Sequence, residues 1–476
     1  MAAVPPQSLL AAANHALRAG EFSAAMVGYV DAMLQMPEIG VTLAASVAHT
    51  RQKYLASRRT AAKPQVVTCG WSLTHNAAGR AHTLAQIYQE FAEVEIIGCI
   101  FSHWGREVWE PMRGSPIPIH TMLIEDPNRI IEQALLLVAA HPAEIVHLSK
   151  PRAPNIIFGI LYKLLWGARV IFDIDDEELA FVQAETPLAI NDYLALHSLL
   201  PPFDQVTQAD WTRLAVGLTG AFDAITVANA ALQERYGGQI IGHARDPKCL
   251  SPSPALRQAS RQALGISPEQ KVVLFFGTPR PHKGLLEVAG AIQSLKRTDV
   301  LFAIVGSFSQ IYRGFKEKLQ AVTGVNYLFL ENQPLNALPR TLAIADCCVL
   351  FQDTQNLCAT FQTPAKLSDA LAMRIPIIAT ATPALGDPIA AGAILPATAN
   401  NLSQQLATTL GHPNATQIDA GYHYFTEHLS IAANAKRLQR LINSTQASGL
   451  SAALNPVCKA LAQHAPILEL LQLQHI

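Results

Sequence analysis

Two series of short β-rich runs, each alternating with helical segments, are separated by one turn-rich stretch, and this repetition constrains the fold more than any other feature of the sequence. The first series is Val66–Cys69, Val94–Phe101, Glu144–Leu148, Arg169–Asp173 and Asp223–Val227. The second is Val272–Phe276, Val300–Val305, Val325–Leu330, Asp346–Phe351 and Pro376–Thr380. Short apolar runs joined by helices read as parallel strands, so the expected class is α/β with two doubly wound domains. Between the series, Asp246-Pro247 through Ser251-Pro252-Ser253-Pro254 reads as a connection. Two such domains in tandem direct the carboxyl ends of both sheets to one interface, where a ligand is expected. A chain of 476 residues is also longer than one core usually organises.

Ahead of the first series, from Ser8 to about Tyr54, apolar residues recur at helical spacing, with a break at Ala19-Gly20-Glu21-Phe22. This predicts a helical hairpin that is similar to one tetratricopeptide unit, with Pro37 after its second helix. One unit cannot bury its own faces, so it must dock on the next domain, a protein partner or another copy. Docking as a simple extension is favoured over a peptide-binding array.

Several function classes are disfavoured. With a formal net charge of −1 and 15% charged residues, nothing recommends binding of nucleic acid by bulk charge. Seven cysteines occur without a CxxC pair, and Cys347 and Cys348 lie in an apolar run, so buried thiols are expected and not a disulfide framework. Sixteen histidines include no HExxH or other helical ligand pair, and no metal is assigned. The start, MAAVPPQSLLAAANHALRAGEF, has neither the form of a secretory signal nor that of an anchor. Asn155–Trp166 is interrupted by Lys163 and is shorter than the ~20 residues of a spanning helix. The expected location is cytoplasmic, with peripheral contact at the inner face of a membrane left open.

The sharpest chemical signal is Val272-Val273-Leu274-Phe275-Phe276-Gly277-Thr278-Pro279-Arg280-Pro281-His282-Lys283-Gly284, a buried strand ending in a Gly/Pro turn with two cations before a helix. Arg280 offers a planar fork to phosphate oxygens and Lys283 a compact charge, and the helix start adds N–H groups. The alternative is an ordinary solvated basic turn. A second motif runs from Phe361-Gln362-Thr363-Pro364-Ala365-Lys366-Leu367-Ser368-Asp369 into the strand before Thr380. In the first domain, Cys69-Gly70-Trp71-Ser72-Leu73-Thr74-His75-Asn76-Ala77-Ala78-Gly79-Arg80 joins a strand to a helix. Here Gly79 would allow close backbone approach, and His75, Asn76 and Arg80 supply hydrogen bonds; helix capping by Asn76 is the alternative. Lys150-Pro151-Arg152 and the acidic run Asp173-Ile174-Asp175-Asp176-Glu177-Glu178 follow two further strand ends. Acids at a helix start are favoured by its dipole, and Asp175 or Asp176 is expected to face the cleft.

These motifs resemble the GT-B-fold glycosyltransferases, in particular the large retaining family 4, over about Pro64 to Ile442. The resemblance implies two Rossmann-like domains and a donor diphosphate held by cations. Gly277 and Lys283-Gly284 match the family pattern, while its arginine, usually next to the glycine, is replaced by Thr278, with Arg280 two places later. Of the family's two glutamates separated by seven residues, Asp369 stands at the second, ribose-binding position and Phe361 at the first. The resemblance thus implies Arg280 and Lys283 as catalytic residues. It implies Gly277, Thr278, Gly284, Lys366 and Asp369 as the donor site, and His75, Asn76, Gly79, Arg80, Lys150, Arg152, Asp175 and Asp176 as the acceptor side or cleft. The Asp-x-Asp run also invites a metal-dependent reading, which would leave the second domain and its basic turn unexplained.

The expected organisation is a helical extension at 1–62, an acceptor-side domain at 63–245, a connection at 246–270, a nucleotide-sugar domain at 271–420, and returning helices with a tail at 421–476. The expected function is transfer of a sugar from a nucleoside-diphosphate sugar to an acceptor hydroxyl of a glycan, lipid-linked or protein substrate. Retention of configuration is expected, with no metal and no further cofactor. The alternative is a catalytically impaired assembly module acting through its N-terminal helices, which the Phe361 departure motivates. A nicotinamide dehydrogenase lacks its GxGxxG loop here.

Overall fold

The computed structural model describes residues 6–308, 312 and 314–474. The first five residues, part of the stretch read above for a targeting signal, and the last two of the tail lie outside the described residues. Two parallel sheets organise the chain. The first contains β1 (Gln65–Gly70), β2 (Glu93–Phe101), β3 (Ile119–Ile124), β4 (Ile145–Ser149), β5 (Arg169–Ile174), β6 (Ala224–Val227) and β7 (Gln239–Ile240), in the order β3-β2-β1-β4-β5-β6-β7. The second contains β8 (Lys271–Phe276), β9 (Val300–Val305), β10 (Asn326–Leu330), β11 (Cys347–Leu350), β12 (Ile377–Thr380) and β13 (Leu395–Ala397), in the order β10-β9-β8-β11-β12-β13. The fold is α/β with two doubly wound sheets, as expected.

The central strands read as continuous apolar runs because helices cover both of their faces: every residue of β4, β9, β11 and β12 is buried. The strands the sequence did not announce are β3, β7 and β13, all at or near sheet edges. Pro396 sits within β13, at an edge where a missing N–H is tolerated. The helix Ala153–Trp166 is buried along its whole length. It ends at Gly167, whose φ of 65° is a left-handed C-cap that a side chain would strain. Lys163, the charge that interrupts this apolar run, donates to Asp223 Oδ2 at 2.8 Å and to the Ser448 carbonyl oxygen at 3.0 Å. Among the described residues no helix is long and apolar enough to cross a membrane.

The N-terminal helices Pro6–Ala19, Phe22–Gln35 and Gly40–Arg58 break where the sequence indicates. The first two approach closely because Gly28 faces Ala13: a Cβ on Gly28 would fall 2.7 Å from the Ala13 Cβ. Their apolar faces merge with the first domain into one core, in which Met26, Tyr29, Val30 and Met33 join Leu135, Ile157, Leu161 and Trp166. Ser23 donates to the Ala140 carbonyl oxygen at 2.6 Å and Arg51 to that of Leu164 at 2.9 Å. The tail helices Asn455–Ala462 and Ile467–Leu473 bury Val457, Leu461, Leu468 and Leu471 in the same core. The hairpin is therefore docked, and its inner face is covered by the first domain. All seven cysteines are free thiols, and Cys69, Cys99, Cys347, Cys348 and Cys458 are buried.

Beyond the second sheet, the helix Ile431–Ser444 returns to the first domain, placing Ile431, Ala435 and Leu438 against Val66, Leu84 and Ile87. At this crossing Arg245 N–H donates to the Leu429 carbonyl oxygen at 2.9 Å, and Ile431 N–H to that of Arg245 at 3.0 Å. The two domains are thereby joined by two adjacent passages of the chain.

Candidate functional site

The basic turn follows β8. Gly277 takes φ 123°, a conformation open to glycine, and the side chain of Lys366 crosses above it: a Cβ at Gly277 would lie 2.9 Å from Lys366 Nζ. Gly284 caps the start of the helix Leu285–Ser294 at φ 63°, and a Cβ there would collide with the Phe351 carbonyl oxygen. Lys283 projects toward the cleft and donates to Gln352 Oε1 and Gln362 Oε1, both at 2.6 Å. Both acceptors are neutral amides. Among the described residues no carboxylate pairs with Arg280, Lys283 or Lys366. Burial, then the charges of Lys366 and Arg280, push the Lys283 ammonium down to about 7, and burial also lowers Lys366. Asp176 acts on Lys283, and Asp369 and Asp176 on Lys366, but from beyond ion-pair distance, and burial outweighs them, so the cations stay close together without direct ion pairs, a condition that suits an anion. Thr278 is exposed on the same turn.

Opposite this turn, Lys150 follows β4. Its backbone holds φ 74°, a left-handed conformation that strains a residue with a Cβ. Asn155 Nδ2 donates to the Lys150 carbonyl oxygen at 2.9 Å and helps to fix that turn. The Lys150 ammonium lies 2.7 Å from Asp175, 2.6 Å from Asp176 and 3.7 Å from Glu178. Burial lowers Lys150, but the three carboxylates outweigh it and hold the ammonium above its ordinary range. Burial likewise pushes Asp176 up, but Lys150 and hydrogen bonds from Lys150 and Gln362 hold it below the usual carboxylate range. Asp175 is raised, by burial first and then by the neighbouring Asp176 charge. Arg152 pairs with Glu178, donates to Thr212 at 2.8 Å, and sits 5.5 Å from the Trp71 ring centroid.

Arg80 lies elsewhere than the rim. It is buried, donates to both Asp173 oxygens at 2.8 and 2.7 Å, and donates to the carbonyl oxygens of Gly242 and Ile241 at 3.0 and 2.7 Å. Asp173 also accepts from Thr226 at 2.7 Å, so the first acid of the Asp-x-Asp run is held within the interior. Gly79 lies inside the helix Ala78–Tyr88, with the Trp109 ring 3.4 Å from where a Cβ would stand. That helix has Ala77 at its N-cap position and no side-chain cap, so Asn76, which is exposed, does not cap it. His75 packs edge-on to Trp71 and Trp104, and burial lowers its imidazole, with Lys150 and Arg152 adding to the effect.

The two halves meet through Gln362, which the sequence did not single out, and through Phe361, which it read as a departure from the family pattern. Gln362 Nε2 donates to Asp176 Oδ1 at 2.8 Å while its Oε1 accepts from Lys283, a continuous line from Lys150 to Gln352 across the cleft. A glutamine carries no charge pattern, and only its position beside Phe361 could have marked it. Phe361 packs against the first-domain cluster of Ile174, Val227, Ala228 and Leu232. The Arg235 guanidinium lies 5.6 Å from its ring centroid, and Asn229 Nδ2 donates to its carbonyl oxygen at 2.9 Å. At the position of the expected glutamate, an apolar side chain thus seats the second domain on the first. Asp369, nearly buried, accepts from Arg245.

Residues 257–410 match the family described as glycosyl transferases group 1, a match that lies within the second of the two domains. No curated protein matches the chain. Among solved structures, similarity covers 80% of this chain and 100% of HepE from Anabaena in complex with UDP and glucose, at 13% identity and a TM-score of 0.59. It covers 80% of this chain and 98% of sucrose-phosphate synthase from Thermosynechococcus elongatus, at 14% identity and a TM-score of 0.56. It covers 80% of this chain and 100% of WaaG, a glycosyltransferase involved in lipopolysaccharide biosynthesis, at 15% identity and a TM-score of 0.53. At these identities the likeness is one of fold, the two-domain GT-B arrangement.

Proposed function

We propose that the protein transfers a glycosyl group from a nucleoside-diphosphate sugar to an acceptor hydroxyl, with retention at the anomeric carbon and without a catalytic metal. The observation that carries this reading is the convergence of Arg280, Lys283 and Lys366 on the Gly277 turn with no carboxylate at ion-pair distance among the described residues. Partly buried cations held close together without direct ion pairs raise one another's cost, and a bound anion relieves it. A diphosphate fits the need: it brings two negative charges, and bond cleavage adds charge on the same oxygens, where fixed cations stabilise the transition state. HepE, of the same fold, was captured with UDP and with UDP-glucose, which supports this choice of anion.

The remaining residues take supporting roles in this reading. Gln352 and Gln362 position the Lys283 ammonium, and Gln362 relays that position to Asp176 on the first domain. His75, Lys150 and the acids around it line the acceptor side. Asp369 serves the nucleotide, with Arg245 as its partner in the free protein. Retention, the acceptor class and any membrane contact at the inner face rest on the family resemblance. The test is a panel of nucleoside-diphosphate sugars, first by thermal shift and then by product formation with candidate acceptor glycans or lipid-linked sugars. At least one donor should raise the apparent Tm of the parent and fail to raise that of an Arg280→Ala/Lys283→Ala/Lys366→Ala variant. A parent stabilised by no donor, or a triple variant stabilised equally, would remove the basis of the proposal.

A further inference from the structure

The spacing of the histidines shows no ligand pair within one helix, yet folding brings Glu95, His120 and His141 together from three separate segments. Glu95 lies on β2 and His120 on β3, in parallel register with Ile97 opposite His120, so Glu95 falls two residues earlier on the same face. His141 follows the helix Ile130–Ala140, and its backbone is held by Tyr162, whose hydroxyl donates to the His141 carbonyl oxygen at 3.0 Å. His120 Nε2 stands 3.2 Å from Glu95 Oε2, and His141 Nδ1 stands 3.1 Å from Glu95 Oε1. The two imidazole rings face each other with centroids 4.0 Å apart.

A carboxylate and two imidazoles are a zinc donor set. With metal–ligand bonds of ~2.0–2.2 Å, tetrahedral geometry separates neighbouring donor atoms by roughly 3.3 Å. The two imidazole nitrogens lie 3.2 and 3.1 Å from different oxygens of the Glu95 carboxylate, and one donor atom from each residue lies within 4.8 Å of the others, so small side-chain shifts bring the three to that spacing around one ion. Nitrogen ligands disfavour calcium and magnesium, which take oxygen. We propose that Glu95, His120 and His141 bind one divalent cation of the zinc class, with water in the remaining position. The His120 side chain is 40% exposed, which gives the ion a path from solvent. The ion would tie β2, β3 and the end of the helix Ile130–Ala140 together. The site is at the amino end of the strands, six residues along β2 from Phe101, or about 20 Å from the cleft end, so it is a structural site apart from glycosyl transfer.

The experiment uses the full chain, stripped with a chelator and desalted, then titrated with zinc chloride by calorimetry and with cobalt(II) by visible absorption. Expected is about one equivalent of tightly bound zinc and a cobalt spectrum of a four- or five-coordinate ion. His120→Ala, His141→Ala and Glu95→Gln should each weaken zinc by about tenfold or more, because even partners of the ligands are typically worth 10–100-fold. Glu95→Gln keeps the shape of the side chain, and circular dichroism establishes folding for each variant. His412→Ala, at an exposed histidine elsewhere, should bind as the parent does. Absence of stoichiometric zinc binding in the parent, or equal affinity in the three folded variants, overturns the assignment.

Discussion

Arg245 donates from Nε to Oδ1 of Asp369 at 2.5 Å, tying the passage between the two domains to the helix Ala365–Ala372. The carboxylate side chain is 6% exposed and the guanidinium side chain 18%. Removing one partner of a buried pair strands the other, at a cost of ~3–5 kcal/mol, and the residual exposure of Arg245 places this case toward the lower end. Arg245→Met should therefore lower the apparent Tm by several degrees, at roughly 2–4 °C per kcal/mol for a domain of this size. Adding Asp369→Asn should recover much of that loss, because the amide needs no counter-charge. A single variant as stable as the parent would show that solvent compensates Asp369.

In the proposed reading, Lys283 acts on the leaving group more than on ground-state binding. If it stabilises the departing diphosphate, its interaction strengthens as the glycosidic bond breaks, and its loss lowers kcat as well as affinity. Removal of one comparable preorganised donor costs ~2.7–4 kcal/mol, or about 10²–10³ in rate, and Lys283→Ala should approach that range. Arg280→Lys should also be impaired, since it keeps the charge and loses the planar fork. The measurement is kcat and KM with the identified donor, after circular dichroism. Turnover of a folded Lys283→Ala protein within about twofold of the parent, only ~0.4 kcal/mol, returns the turn to an ordinary basic surface.

Much of this arrangement was legible in the sequence. The strands were readable because their apolar runs are continuous and their connections long, and the glycines of the basic turn were readable because chain geometry there requires positive φ. What escaped was set by tertiary partners. Arg80 reads as a loop cation, but helix Ala78–Tyr88 turns it inward onto Asp173, a residue 93 positions away. Phe361 reads as a lost acid, and only the fold reveals the first-domain cluster that receives it. Gln362 carries no signal of its own, because its role depends on Asp176 and Lys283 arriving from opposite domains.

The depressed Lys283 gives donor binding a defined pH dependence. In the free protein its ammonium titrates near pH 7, because burial and the adjacent cations disfavour the charge. A bound diphosphate reverses that balance and raises it. At pH 8 most free protein carries a neutral Lys283, so binding must take up a proton, approaching one per donor. Below pH 7 the group is already charged and uptake falls away. Donor affinity should accordingly decline as pH rises above 7. Calorimetry of a nucleoside-diphosphate sugar in buffers of different ionisation enthalpy reads the proton directly, since such a diphosphate does not itself titrate near neutrality. Zero uptake at pH 8 in the parent, or uptake unchanged in Lys283→Met, contradicts the assignment.

The acidic run beside Lys150 yields the last prediction. Asp175, Asp176 and Glu178 place carboxylate oxygens close enough to hold a divalent ion, but the Lys150 ammonium stands among them at 2.7, 2.6 and 3.7 Å. A metal would have to displace a buried cation already satisfied by these groups, and the diphosphate charge is assigned instead to Arg280, Lys283 and Lys366. Transfer should therefore survive EDTA with a rate within about twofold of the untreated protein, while stripping of the remote histidine site alters only thermal stability. Lys150→Met supplies the converse. With the ammonium gone, three acids in one pocket repel one another, which should destabilise the protein and create affinity for Mn²⁺ or Mg²⁺ that the parent lacks at this position. Electron paramagnetic resonance of added Mn²⁺ separates the two proteins, provided the zinc-class site is first filled. Should the parent lose transfer in EDTA and regain it with manganese, the acids are metal ligands in the working enzyme, and Lys150 gives way to an ion when the donor binds.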